Sequence, residues 1–267
     1  MKIRIFSALM MGLLLAATVA PAASAVDLGD VGYIDQAAIG SLGAFQSANQ
    51  YLQNYHTQLD RQYQAQLKSA KSDADKQRIS MQFDQEFTDK KNEVLGPLLQ
   101  RAQLAIAQIA SNHNLSVVVD KRIVVYGGLD ISKEVVALLT SSQAIAPPAS
   151  TPTSSEIGFV DQTVLDNLQK VKDANDQLNK FGAAQRDIYR AKYAAAKTDA
   201  DRKAVADEYQ KTISDKQDQL LKPLVDQTKS VTADVAKKKN LLLVIDRADV
   251  IYGGTDITKD VQDALSK

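Results

Sequence analysis

Apolar residues recur at every third or fourth position through two long stretches of the chain, which is the spacing of amphipathic helices. The first stretch has the pattern of a coiled-coil seam, and its seam positions are Leu42, Phe45, Asn49, Leu52, His56, Leu59 and Tyr63. It ends near Ala70, before residues 72–75, which have turn and N-capping chemistry. The second stretch is marked by Ile79, Phe83, Phe87, Val94, Leu98, Ala105 and Ile109. Two long helices joined by a short turn predict an antiparallel hairpin that forms an arm.

Short β-type segments lie on both sides of this hairpin. Residues 31–36 alternate apolar and polar positions, residues 115–120 are apolar and β-branched, and residues 123–126 form another short run before two glycines. A last helix, capped by Asp130 or Ser132, carries Val135, Val136, Leu138 and Leu139. The predicted fold class is therefore α+β, mostly α, with a small β-containing body and a long antiparallel helical hairpin as a coiled-coil arm.

The whole pattern occurs twice. The motif GYIDQ at residues 32–36 recurs 126 positions later as GFVDQ at residues 158–162, and YGG at residues 126–128 recurs at residues 252–254. A match at one fixed offset over most of the unit predicts a tandem duplication. The second unit follows a linker rich in Ser, Thr, Ala and Pro. The predicted boundaries are a signal peptide at 1–25, unit one at 26–140, the linker at 141–156 and unit two at 157–267.

Two features interrupt the helical pattern of the arms. Asn49 and Asn175 occupy matching seam positions, where each amide either is buried and fixes the helix register or lies at the seam edge in water. Pro97 and Pro223 each remove a backbone donor from the second helix of their unit. We expect these prolines to interrupt that helix and to bend each arm near its root.

The N-terminal residues predict export. Lys2 and Arg4 precede an apolar run at residues 5–20, and small residues just before Val26 suit cleavage near Ala25. The chain has no cysteine, which excludes a lipoprotein attachment site and a disulfide framework. Cleavage removes two of the 32 basic residues and none of the 32 acidic ones, so the mature chain is almost neutral. A near-neutral chain without a basic patch does not fit a nucleic-acid binder.

Residues that could support catalysis are scarce. His56 falls on a helical seam and His113 at a helix end, and the second unit has Gly182 and Lys239 at the matching positions. The paired glycines fit turns better than a phosphate-binding loop. Repeated acidic residues are expected to accept hydrogen bonds from backbone donors at strand ends and helix starts, and these are Asp35, Asp120, Asp130, Asp161, Asp246 and Asp256. We therefore expect no enzymatic activity, no metal site and no cofactor.

Several motifs resemble those of the Skp/OmpH-like periplasmic chaperones. LGPL at residues 95–98, VVVD at residues 117–120 and DIS at residues 130–132 look like the family's second arm helix, its strand and the start of its terminal helix. All three recur 126 positions later with small changes. The resemblance implies a trimer whose strands form a small barrel and whose arms enclose unfolded outer-membrane proteins without ATP.

This chain departs from that pattern in two ways. It is near neutral, with a sequence pI of about 6.7, whereas the best-known family member is strongly basic, so charge-driven membrane binding is not expected. It also carries two units. Three chains could build two barrels, two units could pair within one chain, or chains could exchange units.

These observations predict an ATP-independent holdase chaperone of the periplasm. Its expected partners are unfolded outer-membrane proteins and, through the β-containing bodies, other copies of itself. Phe83 and Phe87 on the second arm helix are the predicted client contacts. The alternative is a structural or adaptor coiled-coil protein of the cell envelope. Seams broken by polar residues favour the chaperone, because they suit arms that flex, whereas continuous apolar heptads would favour a spacer.

Overall fold

A computed structural model describes residues 28–148 and 155–266. The predicted signal peptide and residues 149–154 of the linker lie outside the described residues. The contacts divide the described chain into two compact units. The first unit holds residues 28–148 and Ser155 together with Asp249–Gly254, and the second holds Glu156–Ala248 together with residues 255–266. Each unit combines long helices with a small sheet, which confirms the α+β, mostly α fold class.

The helices of the first unit are α1 (Gln36–Gly40), α2 (Gly43–Ser69), α3 (Asp73–Asn112) and α4 (Ser132–Thr140). The two long helices, α2 and α3, pack against each other as the predicted hairpin. Their junction follows the sequence prediction, because α2 ends one residue before Ala70. Ser72 then caps α3, since its hydroxyl accepts a hydrogen bond from the Asp75 backbone N–H at 3.1 Å.

The two predicted interruptions of the helical pattern turn out differently in the structure. Pro97 lies inside α3, and the helix continues through it to Asn112, so the proline does not interrupt the helix. Asn49 is exposed, whereas its neighbour Ala48 is buried in the seam. The seam thus steps from Phe45 to Ala48, and the Asn49 amide lies in water rather than fixing the helix register.

The sheet of the first unit contains a strand from the second half of the chain. Its strands are β1 (Val31–Ile34), β2 (Val117–Asp120), β3 (Leu129–Asp130) and β6 (Val250–Gly253). The strand order is β3-β1-β2-β6. Both β2 and β3 pair parallel with β1, whereas β6 pairs antiparallel with β2. The central strands therefore come from the two ends of the first repeat, and one edge strand comes from the second.

The strand predicted at residues 123–126 is wrong. Lys121–Ile123 forms a single 3₁₀ turn, and the next residues include Val125 and Tyr126, which are 93% and 94% exposed. The equivalent prediction in the second half, at residues 250–252, is confirmed by β6. A strand requires a partner edge for its backbone groups, and β6 already occupies the free edge of β2.

The hydrophobic core of the first unit lies where the roots of the long helices meet the sheet and α4. Its buried residues are Ile34, Ile39, Phe45, Ala102, Ala105, Ile106, Ile109, Ala110, Leu115, Val118, Ile131 and Val135. These residues come from every major element of the unit, so they fix the sheet against the base of the hairpin. Ile251 and Tyr252 of β6 pack against the same cluster and extend it.

The second unit repeats these elements with bounds 126 positions higher, except that its last helix ends one residue earlier. Its helices are α5 (Gln162–Asp166), α6 (Gln169–Ala195), α7 (Asp199–Lys238) and α8 (Thr258–Leu265). Its strands are β4 (Ile157–Val160), β5 (Leu243–Asp246) and β7 (Thr255–Asp256), in the order β5-β4-β7. Among the described residues, β5 is thus an edge strand, and its residues are half-buried or exposed rather than buried like those of β2.

Candidate functional site

Phe83 and Phe87 lie on α3 and face α2. The ring of His56 contacts both, with centroids 5.6 Å from Phe83 and 4.9 Å from Phe87, and Phe83 also packs against Tyr63 at 4.9 Å. Both phenylalanines are half-buried. The structure therefore brings the two predicted client contacts together on one face of the arm, where they also join the two helices.

A polar edge runs beside this aromatic cluster. The Tyr55 hydroxyl donates to Glu86 at 2.9 Å, and the Lys90 ammonium lies 5.7 Å from the centre of the Tyr55 ring. The hydrogen bond to Glu86 raises the pKa of Tyr55, and the hydrogen bond to Glu93 raises the pKa of Lys90. All these groups are in contact with solvent, so their interactions add little to the stability of the arm.

The second arm keeps the ring pair that corresponds to Tyr63 and Phe83, with the Tyr189 and Tyr209 centroids 5.2 Å apart, and adds hydrogen bonds around it. Tyr189 is buried, and its hydroxyl contacts Glu208 at 3.1 Å and Thr212 at 2.9 Å. Lys192 pairs with the same Glu208 at 3.0 Å and covers the Tyr189 ring at 4.7 Å. Gly182 takes the place of His56. The two arms thus share their helix bounds but differ in how their middles are held together.

Exposed apolar side chains along the arms were missed by the sequence argument. Their relative exposures are 50% for Tyr51, 65% for Met81 and 50% for Leu99 in the first arm, and 50% for both Ile188 and Tyr193 in the second. They fall among charged and amide side chains that are also exposed. The helical period could have indicated Tyr51 and Met81, because both fall off the predicted seam.

The repeated acidic residues bind backbone donors, as the sequence predicted. Asp35 accepts from the Ala37 N–H at 3.0 Å, and Asp130 accepts from the Ser132 N–H at 2.9 Å. Burial alone would raise the pKa of Asp130, but the hydrogen bonds from Ser132 and the nearby Lys121 and Lys133 outweigh it and lower the pKa. These contacts start helices α1 and α4, so the carboxylates have a structural role.

Asp120 is the most deeply buried of these acidic residues, with 1% exposure. Its carboxylate accepts from the Gln36 amide at 2.7 Å and from the Arg122 guanidinium at 2.8 Å. Burial alone would raise the pKa of Asp120, but the hydrogen bonds from Arg122 and Gln36 outweigh it and hold the pKa below its ordinary value. The equivalent Asp246 is exposed and accepts from the Ala248 N–H at 2.9 Å.

The histidines have separate surroundings. His113 pairs with Glu134 of α4 at 2.9 Å, while His56 packs against the rings of Phe83 and Phe87 in the arm. No group of three or more His, Asp and Glu side chains in the described ranges could hold a metal ion. Of the helices that these ranges form, none combines the length and the apolar character needed to cross a membrane.

Comparison with protein families gives one assignment. Residues 31–139 match the family described as Outer membrane protein (OmpH-like). The matched range begins at β1 and ends within α4, so it covers the arm and all the strands that the first repeat contributes. Searches of curated proteins and of solved structures gave no match. Over residues 31–139, this match confirms the resemblance of the first repeat to the Skp/OmpH-like family.

Proposed function

We propose that the protein is an ATP-independent holdase that keeps unfolded outer-membrane proteins soluble in the periplasm. The observation that carries this proposal is the surface of the arms, where single apolar side chains such as Tyr51, Met81 and Tyr193 are exposed among polar ones. The resemblance of the first repeat to the OmpH-like family supports the same role and the same compartment.

The spacing of these side chains suits a binder that must release its client unaided. Each exposed apolar residue offers a small contact, worth about 1.5–3 kcal/mol at most when a large side chain is fully buried. Several such contacts along two arms add up to useful affinity, yet each one breaks easily. Release then requires no nucleotide, because folding of the client removes its apolar segments from the arms.

The half-buried rings of Phe83 and Phe87 contribute to the same surface. Their open faces add aromatic area beside the polar edge of the first arm, and their packing against His56 keeps that area in place. Replacement of both by serine is expected to weaken holding of a denatured outer-membrane protein. It should also loosen the arm, so this variant alone does not separate a loss of client contacts from a loss of arm stability.

A cleaner test replaces exposed residues that do little to hold the arm. The second arm has Gln177 and Asp207 at the positions of Tyr51 and Met81, so polar side chains suit these sites. We expect the variant Tyr51→Gln/Met81→Gln to suppress aggregation of a denatured outer-membrane protein at least threefold less well at equal concentration. A matched control, Gln64→Ser/Gln77→Ser, changes exposed polar residues on the same two helices and should hold the client normally.

The charges of the arms are expected to matter less than these apolar contacts. At the tips, Asp73 pairs with Lys76 at 2.8 Å and Asp199 with Arg202 at 3.1 Å, so acidic and basic groups largely offset each other. Raising the salt concentration from about 0.15 M to about 0.5 M should therefore change client affinity less than threefold. Normal holding by the apolar-to-glutamine variant, or a steep loss of binding with salt, would reject the proposal.

We also propose that the chains associate through their β-containing bodies. The support is that β5 lies at an edge of its sheet among the described residues, and an unpaired edge strand readily accepts another strand.

A further inference from the structure

The first part of the linker is fastened to the first unit. Residues 141–148, which we call the strap, follow α4 without regular secondary structure. The Arg101 guanidinium of α3 donates to the Ser141 carbonyl oxygen at 3.0 Å and to the Gln143 carbonyl oxygen at 3.3 Å. Ile145 is half-buried and packs against the hydrophobic core of the unit. The strap is therefore a docked segment.

The second unit closes the matching corner without an arginine. Gln227 takes the place of Arg101, and its side-chain oxygen accepts a hydrogen bond from the Lys170 ammonium at 3.0 Å. The same ammonium donates to the Leu265 carbonyl oxygen at the end of α8, at 2.8 Å. Capping of a last helix accounts for a contact at its end, but not for the one that Arg101 makes with Gln143 beyond it.

The strap is held by features that most polypeptide segments possess. Arg101 contacts backbone carbonyl oxygens, which every residue has, so this contact does not depend on the side chains of the strap. Ile145, its one large apolar side chain, reaches the core. Leu98, Leu138 and Leu139 are half-buried and pack against the same core. An apolar surface beside a backbone donor suits an extended apolar segment of an unfolded chain.

We propose that the strap occupies a binding site for an extended apolar segment of an unfolded polypeptide, and that a client displaces it. This inference rests on the proposed holdase function, to which it adds a site at the root of the first arm and a competitor within the chain. Without a client, the strap covers apolar surface that would otherwise be open to solvent. When a client binds, its segment takes the place of Ile145 and accepts the hydrogen bonds of Arg101.

The strap is a competitor that a client can replace. Because it is tethered, its effective concentration at the site is on the order of millimolar. It offers one large apolar side chain, which is only half-buried, whereas a client segment can present several. It also contains no acidic residue that could pair with Arg101. The apparent affinity for clients is lowered by the fraction of chains whose strap is docked, so a looser strap should raise it.

The first test weakens the strap and leaves the site unchanged. The variant Ile145→Ser should bind a denatured outer-membrane protein at least threefold more tightly than the unmodified chain. The variant Arg101→Gln/Ile145→Ser should lose that gain, because the site then lacks its backbone donor. A matched control, Ser142→Ala, changes an exposed residue of the strap and should bind the client normally. Circular dichroism should show the same helix content in all of these chains.

The second test follows the strap itself. The chain has no cysteine, so Ile145→Cys introduces a single thiol whose labelling rate reports how often the strap leaves the core. A denatured outer-membrane protein without cysteine should raise this rate at least fivefold. The control Ile39→Cys places the thiol in the core of the same unit, where Ile39 is 8% exposed. Its labelling should be equally slow with and without the client.

The outcomes separate the strap from the holdase. If the unmodified chain holds the client but Ile145→Ser binds it no more tightly, the inference is wrong and the holdase proposal stands. Labelling of Ile145→Cys that a bound client leaves unchanged has the same meaning. Equal gains in Ile145→Ser and in the double variant would show that clients do not use Arg101, and faster labelling of Ile39→Cys would indicate general opening of the unit; either result overturns the inference. A chain that binds no client in any form refutes the holdase proposal and the role of the strap with it.

Discussion

The imidazole ring of His56 lies edge-on to the ring of Phe87, with the two centroids 4.9 Å apart. His56 makes a similar edge-on contact with the ring of Phe83. In α3, all of which is described, no residue between Ile79 and Ala102 is fully buried. The aromatic cluster therefore supplies the contact between α2 and α3 in a part of the arm that lacks an aliphatic core.

Removing this imidazole should loosen the middle of the first arm. Edge-to-face aromatic contacts are worth about 0.5–1.5 kcal/mol each, so His56→Ala is expected to cost about 1–2 kcal/mol of local stability. Hydrogen exchange should become faster in α2 while the strands are unaffected. The control His113→Ala breaks an exposed pair with Glu134 and should leave exchange in α2 unchanged. Equal effects from both variants would show that the cluster does not support the arm.

The arms should open before the bodies. The core at the base of the hairpin draws on the sheet, both long helices and α4, whereas the outer part of the first arm relies on Leu59, Ile79 and the aromatic cluster. Sparse burial means low local stability. Native-state hydrogen exchange should therefore show residues 50–69 opening at least tenfold more often than β2. Similar protection in both regions would contradict arms that flex.

The periodic parts of this fold could be predicted from sequence, and the pairing between distant strands could not. The turn near Ser72 followed from local capping chemistry and the apolar spacing on either side, which act within a few residues. The seam was misplaced by one residue, at Asn49 instead of Ala48, because a seven-residue repeat drifts on a helix with 3.6 residues per turn. Pro97 was expected to interrupt its helix, but α3 continues through it to Asn112.

Whether each of the two YGG segments forms a strand depends on contacts remote in sequence. Both have the same strand-forming pattern, but Val250–Gly253 pairs with β2 and forms a strand while residues 124–127 form none. The surface that we propose for clients also depends on contacts remote in sequence. Phe83 and Phe87 stand out as large apolar residues, but their exposure depends on His56 across the hairpin.

The carboxylate of Asp120 should make the first unit sensitive to acid. Its pKa is lowered in the folded state, so its contribution to stability is fully present above its unfolded pKa of about 3.9 and is lost as the pH falls through the folded value. Asp120→Asn removes the negative charge that pairs with Arg122 and accepts a hydrogen bond from Gln36. The substitution should lower the free energy of unfolding by about 1–3 kcal/mol at pH 7.

The second unit supplies the control for Asp120. Asp246 holds the matching position but is exposed, so Asp246→Asn should change stability by less than about 0.5 kcal/mol. Hydrogen exchange of β2 reports the effect of Asp120→Asn, and exchange of β5 reports that of Asp246→Asn. The difference between Asp120→Asn and the unmodified chain should shrink on acidification below pH 4. A constant difference from pH 7 to pH 3 would mean that the lost charge is not the cause.

Gly253 should be the least replaceable glycine of the first sheet. An alanine there would adopt a φ of +67° and place its Cβ 2.0 Å from the Ser116 carbonyl oxygen, which is backbone and cannot move aside without shifting β2. Gly253→Ala is therefore expected to release β6 and to expose Tyr252. Hydrogen exchange of β2 should rise at least tenfold, and the half-buried Tyr252 should become accessible to chemical modification.

A helical glycine gives the opposite expectation for the same substitution. Gly96 lies inside α3 with nothing within 4 Å of the position that a Cβ would take. Gly96→Ala should stabilise the helix by about 0.5–1 kcal/mol, because alanine loses less backbone entropy there. Both variants add one methyl group, so a loss of β2 protection confined to Gly253→Ala would assign the effect to the close approach of two strands. Unchanged protection of β2 in Gly253→Ala would show that β6 does not depend on that approach.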